Sequence, residues 1–225
     1  MERTIRDRLG EVLRRMGAAA MRAGRDPADV RLVVVTKNRA AEEIREVLAA
    51  GRYALGENRV QEALDKIPAL PPDTEWHLIG HLQTNKVAQA IRQFALIHSV
   101  DSARLAEAIQ RAADREDRFV DVLLEVNVSG EATKYGLRAE EVEPLLATIA
   151  RTHDRLRVRG LMTMAALEAQ PEATRPVFRG LRLLRDRLAA AGHKLPELSM
   201  GMTNDFEVAV EEGATMVRVG TAIFE

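Results

Sequence analysis

The stretch LVVVTKNRA, residues 32–40, runs an apolar segment directly into Lys37. A lysine amine is strongly hydrated and seldom buried, and desolvation turns it into a nucleophile by lowering its pKa. The chain has five lysines among its 33 cationic residues, the rest being arginines, so an amine at this position departs from the chain's habit. Arginine stays protonated and cannot replace a nucleophilic amine. Taken alone, Lys37 also fits a strand end that simply points into water.

Two later segments carry a second kind of chemistry. In SMGMTNDFEVAV, residues 199–210, Gly201 permits close backbone approach, Thr203 or Asn204 can cap a helix, and Asn204 with Glu207 has capping-box spacing. RVGT, residues 218–221, adds Gly220 and the hydroxyl of Thr221. Backbone N–H groups at such turns and helix starts bind phosphate, although ordinary turns share the composition. A phosphate carries about −1.5 to −2 charges and would couple electrostatically to Lys37. A phosphate cradle with a lysine points to a Schiff base with a phosphorylated aldehyde, which leaves a sugar-phosphate aldolase or pyridoxal 5′-phosphate (PLP). Arg218 helps to separate the two, because PLP sites commonly set an Asp or Arg against the pyridine nitrogen.

These residues lie far apart in sequence, so the fold must gather them. Short β-rich runs are read at 31–36, 53–56, 75–80, 95–100, 119–128, 155–162, 197–200 and 215–220. Between them Ile44, Val47 and Leu48, then Leu105, Ala108, Ile109 and Ala112, then Val177, Leu181, Leu184 and Leu188 recur at helical steps. Eight strands alternating with helices in 225 residues predict one TIM-type (β/α)8 barrel over 1–225, with an extra N-terminal helix. An open doubly wound sheet would carry a glycine fingerprint after its first strand, and TKNRAAEE has none. In a barrel, residues at strand C-termini converge on one mouth, which assembles Lys37, Asn58, His77 to His81, Met162, Ser199 to Thr203 and Arg218 to Thr221.

Composition narrows the partners. A formal net charge of −1 gives no field for nucleic acid or anionic membrane, and the absence of cysteine removes disulfides, thiolate metal sites and thiol nucleophiles. The N-terminal 24 residues alternate charges with Ile5, Leu9, Val12, Leu13 and Met16, the pattern of an amphipathic helix and not of a signal peptide. His77 and His81 stand four apart, but Gly80 breaks the helix that would aim both at a metal, so no metal site is expected. Lys134, in EATKYG, reads as a loop lysine.

The motifs VVVTKNR, LGENRVQEA, EWHLIGHLQTNK, VNVSGEATKYGL, RGLMTM and LSMGMTNDFEVAVEEGATMVRVGTAIF, in this order, resemble the YggS/PROSC family of pyridoxal phosphate homeostasis proteins over nearly the whole chain. The resemblance implies a barrel related to the N-terminal domain of alanine racemase, with PLP held on Lys37 as a Schiff base. It further implies Ser199, Met200, Gly201, Gly220 and Thr221 as the phosphate cradle, Arg218 as the ring-nitrogen contact, and Asn58 and Met162 beside the ring. Two positions depart from the family pattern: Arg39, where many members have a second lysine, and Glu225, where glycine is common.

The resemblance implies a binding, buffering or delivering role without a demonstrated enzymatic reaction. Racemisation needs an acid/base on each face of the cofactor, and related racemases draw one from a second, β-rich domain. A barrel that takes up residues to 225 leaves none for such a domain, so a carrier is expected over a weak racemase, decarboxylase or aldolase. A barrel that uses PLP as the effector of protein contacts is a third reading. Apo-enzymes are the expected recipients, the chain is expected to be a monomer, and its address is expected to be cytoplasmic.

Overall fold

The computed structural model describes residues 3–131, 135–166 and 170–225. Eight parallel strands close in chain order into one barrel: β1 (Arg31–Val35), β2 (Ala54–Glu57), β3 (Trp76–Leu78), β4 (Leu96–Val100), β5 (Val120–Glu125), β6 (Leu156–Met162), β7 (Glu197–Ser199) and β8 (Met216–Val219). Helices follow them in turn: α2 (Ala41–Ala50), α3 (Val60–Lys66), α4 (Val87–Gln93), α5 (Ala103–Arg115), α6 (Ala139–Thr152), α7 (Arg175–Ala190), α8 (Phe206–Glu211) and α9 (Thr221–Phe224). The additional helix α1 (Ile5–Arg22) precedes the barrel. This is the TIM-type barrel with an N-terminal helix that the sequence predicts.

Closure rests on the first and last strands, whose register runs from Arg31 opposite Met216 to Val34 opposite Val219. It brings Lys37, just beyond β1, next to the turn that follows β8. The strand β5 ends at Glu125, earlier than the alternation through 128 predicts. Val126 instead forms an isolated bridge with Leu137, and the Asn127 N–H donates to the Leu137 carbonyl at 2.9 Å, so the chain leaves the ladder for a loop.

Two cores result. The larger lies between strands and helices and includes Val34, Leu55, Leu78, Ile97, Phe178 and Phe206. The smaller fills the barrel with Val33, Ile79, Leu96, Leu123, Met162 and Met216. Alternation along a strand explains the division: Val33 points inward and Val34 outward. In β6 the register against β5 slips between Val158 and Gly160, opposite Val122 and Leu123. A Cβ on Gly160 would lie 1.9 Å from the Glu197 carbonyl oxygen, so only glycine lets β7 approach there.

Helix α1 begins at a reciprocal cap in which Thr4 Oγ1 accepts the Asp7 N–H and Asp7 accepts the Thr4 N–H. Its buried face, including Leu9, Val12 and Met16, packs against α8 and α9. Arg15 pairs with Glu207 and Arg22 with Glu211 on α8, while Arg8 donates to the carbonyls of Ile223 and Phe224 on α9. The first helix thus braces the two helices that follow the last two strands. Among the described residues no helix is long and apolar enough to cross a membrane.

Candidate cofactor site

A cleft of about 780 Å³ opens at the C-terminal end of the strands. Its walls come from segments after β1, β2, β3, β6, β7 and β8, the convergence a barrel imposes. Lys37, Asn58, Arg218, Gly220 and Thr221 line it, as expected of a common mouth.

Lys37 sits on a tight turn. The Thr36 carbonyl accepts both the Arg39 N–H at 3.0 Å and Lys66 Nζ at 2.7 Å, and Asn38 takes the left-handed backbone that asparagine tolerates, with φ 58°. Beneath the turn, Glu57 Oε1 accepts from Thr36 Oγ1 at 2.6 Å and from Lys66 Nζ at 2.7 Å. Burial pushes Glu57 above the usual carboxylate range, against the pull of Lys66 and Thr36. Lys66 therefore works as an anchor for the turn. The Lys37 amine itself is exposed and, among the described residues, makes no hydrogen bond or ion pair.

On the neighbouring strand β8, opposite Val33 of β1, Arg218 is 3 % exposed. One N–H donates to Ser199 Oγ at 2.6 Å and another to the Thr163 carbonyl at 3.0 Å, which leaves the remaining N–H groups for the cleft. Burial draws Arg218 down to about 10, with Glu125 and Asp205 opposing the fall. It remains a cation at neutral pH. Glu125, also buried at the end of β5, is pushed up to about 7 by burial and by the nearby Asp101 charge, with Arg218 pulling the other way.

The loop after β7 presents Met202, Thr203, Asn204 and Asp205 to the cleft. Asp205 accepts the Met202 N–H at 2.6 Å and closes this turn; burial raises its pKa. No described residue accepts the N–H of Thr203, Asn204 or Thr221, and all three residues line the cleft. Gly201 has φ +91°, and a Cβ there would lie 2.5 Å from Ala209 Cβ. A Cβ on Gly220 would lie 2.9 Å from the Val35 carbonyl oxygen.

The remaining expected site residues stand behind this wall. Ser199 is buried beneath Arg218, Met200 belongs to the outer core, and Gly201 is buried with its carbonyl accepting the Arg218 N–H. Met162 lies inside the barrel in one cluster with Ile79, whose side of the cleft it supports from below. Lys134 falls outside the described residues. Arg39 and Glu225, the two departures from the family pattern, pair with each other at the rim, and Arg39 also lies 5.1 Å over the Phe224 ring.

Sequence reasoning missed the barrel interior. His98 Nδ1 lies 2.9 Å from Ser199 Oγ, His98 Nε2 lies 3.0 Å from His77 Nδ1, and His77 Nε2 lies 2.8 Å from Glu75 Oε1. The available signal was the histidine in the mostly apolar run ALIHSV. Among the described residues no cluster of three or more His, Cys, Asp or Glu could hold a metal.

A closed parallel barrel with a lysine, a buried arginine and unpaired backbone donors at one mouth defines a barrel of the alanine racemase N-terminal class, and the family model for the alanine racemase N-terminal domain matches residues 13–225. The pyridoxal phosphate homeostasis protein of Aquifex aeolicus is 47 % identical over 220 residues, covering 97 % of this chain and 96 % of its own. PipY of Synechococcus elongatus, solved with PLP bound, superposes with a TM-score of 0.82 at 38 % identity, covering 99 % of this chain and 100 % of that one. A protein from Bifidobacterium adolescentis gives 0.92 at 40 % identity, covering 98 % and 94 %. The chain belongs to the pyridoxal phosphate homeostasis protein family. The Aquifex aeolicus relative carries the name of a homeostasis protein and not of an enzyme.

Proposed function

We propose that this chain binds PLP in the cleft at the C-terminal end of the strands and acts as a carrier or buffer of that cofactor. The observation that carries the reading is the pairing, in one cleft, of a partnerless lysine with a buried arginine and free backbone N–H donors. PLP has an aldehyde, a ring nitrogen and a phosphate, and each finds a group of matching chemistry. When bound, it supplies an electron-withdrawing ring conjugated to whatever amine holds its aldehyde.

The residues divide the work. Lys37 supplies the amine that condenses with the aldehyde, and its turn is held in place by Lys66 and Glu57. Arg218 donates to the ring nitrogen and keeps that atom an acceptor. The N–H groups of Thr203, Asn204 and Thr221 take the phosphate, with Gly201 and Gly220 leaving the backbone room to do so. Asn58 borders the ring, and Ser199, Met200 and Met162 support the site from behind.

The open mouth favours a carrier, since it leaves the ligand accessible for transfer. Apo forms of PLP-dependent enzymes are the recipients in this reading, and the protein works as a single barrel domain, monomeric and cytoplasmic. The near-neutral charge and the lack of cysteine support that setting.

The visible spectrum of the purified protein beside Lys37→Ala tests the assignment. The parent is expected to be yellow, with a borohydride-reducible adduct that maps to Lys37; the variant is expected to lose both. A variant that keeps the same reducible adduct rejects Lys37 as the amine. Steady multiple turnover of amino acids by the loaded protein rejects the carrier role.

A further inference from the structure

The barrel interior holds His77, His98 and Ser199 where apolar side chains would pack at less cost. His77 and His98 are 1 % and 0 % exposed, Ser199 is 0 % exposed, and Val33, Leu96, Leu123 and Met216 share the lumen with them. Buried polar groups carry a desolvation penalty that only full hydrogen bonding offsets. Here it is offset completely, because every ring nitrogen of both histidines has a partner.

The direction of these bonds follows from chemistry at both ends. Arg218 has no acceptor, so it donates to Ser199 Oγ. Glu75, partly exposed at the opposite rim and held below the usual carboxylate range mainly by its bond to His77, accepts from His77 Nε2–H. With its one hydrogen on Nε2, a neutral His77 accepts at Nδ1 from His98 Nε2–H. His98 in turn accepts at Nδ1 from the Ser199 hydroxyl, whose oxygen also accepts from Arg218. Burial, with His77, Arg218 and Arg31 nearby, holds His98 well below the usual histidine range, which keeps that ring neutral. Reversing the line would require a doubly protonated His77 in the dry lumen.

Among the described residues no carboxylate lies within ion-pair distance of Arg218; Glu125 and Asp205 act on it only from farther away. We infer that His98 and His77 are positioning residues for Arg218: with Ser199 they form a one-way hydrogen-bonded line across the lumen that aims the guanidinium at the cleft and joins its charge to Glu75 on the opposite rim. The inference rests on the reading of Arg218 as the ring-nitrogen contact. It assigns work to two side chains that never touch the cofactor.

The line itself is tested without cofactor, by long-range proton–nitrogen correlation spectra of the protein labelled with ¹⁵N-histidine. Both rings are expected as Nε2–H tautomers, with His98 unmoved from about pH 5 to 8, the window in which histidine ordinarily titrates. An Nδ1–H tautomer at His98 overturns the inference.

The positioning role is tested by PLP titration of His98→Leu and of the conservative His98→Asn, which keeps an acceptor near Ser199. His98→Leu is expected to weaken PLP roughly tenfold and to shift its visible band, as a misaimed charge-assisted hydrogen bond would, while borohydride still fixes the cofactor to Lys37. His98→Asn is expected to recover part of both. Unchanged affinity and band in folded His98→Leu overturn the role. If that variant does not fold, Glu75→Leu at the rim is expected to weaken PLP by about threefold and shift the band; no change there overturns it equally. If borohydride fixes no cofactor to Lys37 in the parent protein, the cofactor reading fails, and the tautomer spectra still judge the line.

Discussion

At the scale of single residues, this site is set by how few partners its charged groups have. Glu125 offers a direct reading of that. Its carboxyl, pushed up to about 7 from an unfolded value of 4.5, binds a proton more tightly in the folded than in the unfolded chain. Stability from this group is therefore complete below about pH 4.5, declines as pH rises toward 7, and is flat above, for a loss on the order of 3 kcal/mol. Urea melts of Glu125→Gln are expected to show an advantage over the parent that grows across that window and then stays constant; parallel curves would refute the assignment. Lys37, Asn58, Arg218, Gly220 and Thr221 were legible in the sequence as residues of one mouth because their strand-end positions place them there. His77, His98, Glu57 and Glu125 were not, because each gains meaning only from neighbours on other strands. An inward-facing histidine and an outward-facing one look alike in a short run until register is known.

At the scale of elements, the loop after β7 shows how backbone geometry carries the site. Gly201 turns the chain at φ +91°, and its carbonyl ties the loop to Arg218 on β8. Gly201→Ala combines a left-handed backbone with a methyl driven against Ala209 on the buried face of α8, which is expected to destabilise the fold by about 3 kcal/mol. Urea denaturation checks the stability, and PLP titration is expected to show weaker binding in whatever remains folded. The order of strands and helices was legible, since apolar runs and helical stripes alternate without a break. The end of β5 was not: VNV continues the alternation of a strand, and only the bridge from Val126 to Leu137 reveals that pairing has passed to the loop. The slip in β6 was equally hidden, because Gly160 reads as an ordinary interruption until the Glu197 backbone is placed against it.

At the scale of the whole molecule, α1 reaches across the seam where β8 meets β1. Arg8 holds the carbonyls of Ile223 at 2.8 Å and Phe224 at 3.3 Å, and so fixes the short helix whose first residue, Thr221, lines the cleft. Arg8→Ala is expected to remove about 2 kcal/mol of stability and to speed PLP release, measured by stopped-flow transfer to an excess of a scavenging apo-enzyme. Release at the parental rate would show that α9 keeps its place without the brace.

The seam also orders events during translation. Lys37 leaves the ribosome early, while the turns that offer donors to an anion around residues 203 and 221 are among the last made. In the proposed reading, a growing chain thus exposes the Lys37 nitrogen with nothing to retain what it captures, and an aldehyde that adds to it is expected to hydrolyse away again. In that reading, loading waits for the first and last strands to meet, so a polypeptide stalled before β8 is expected to retain no PLP.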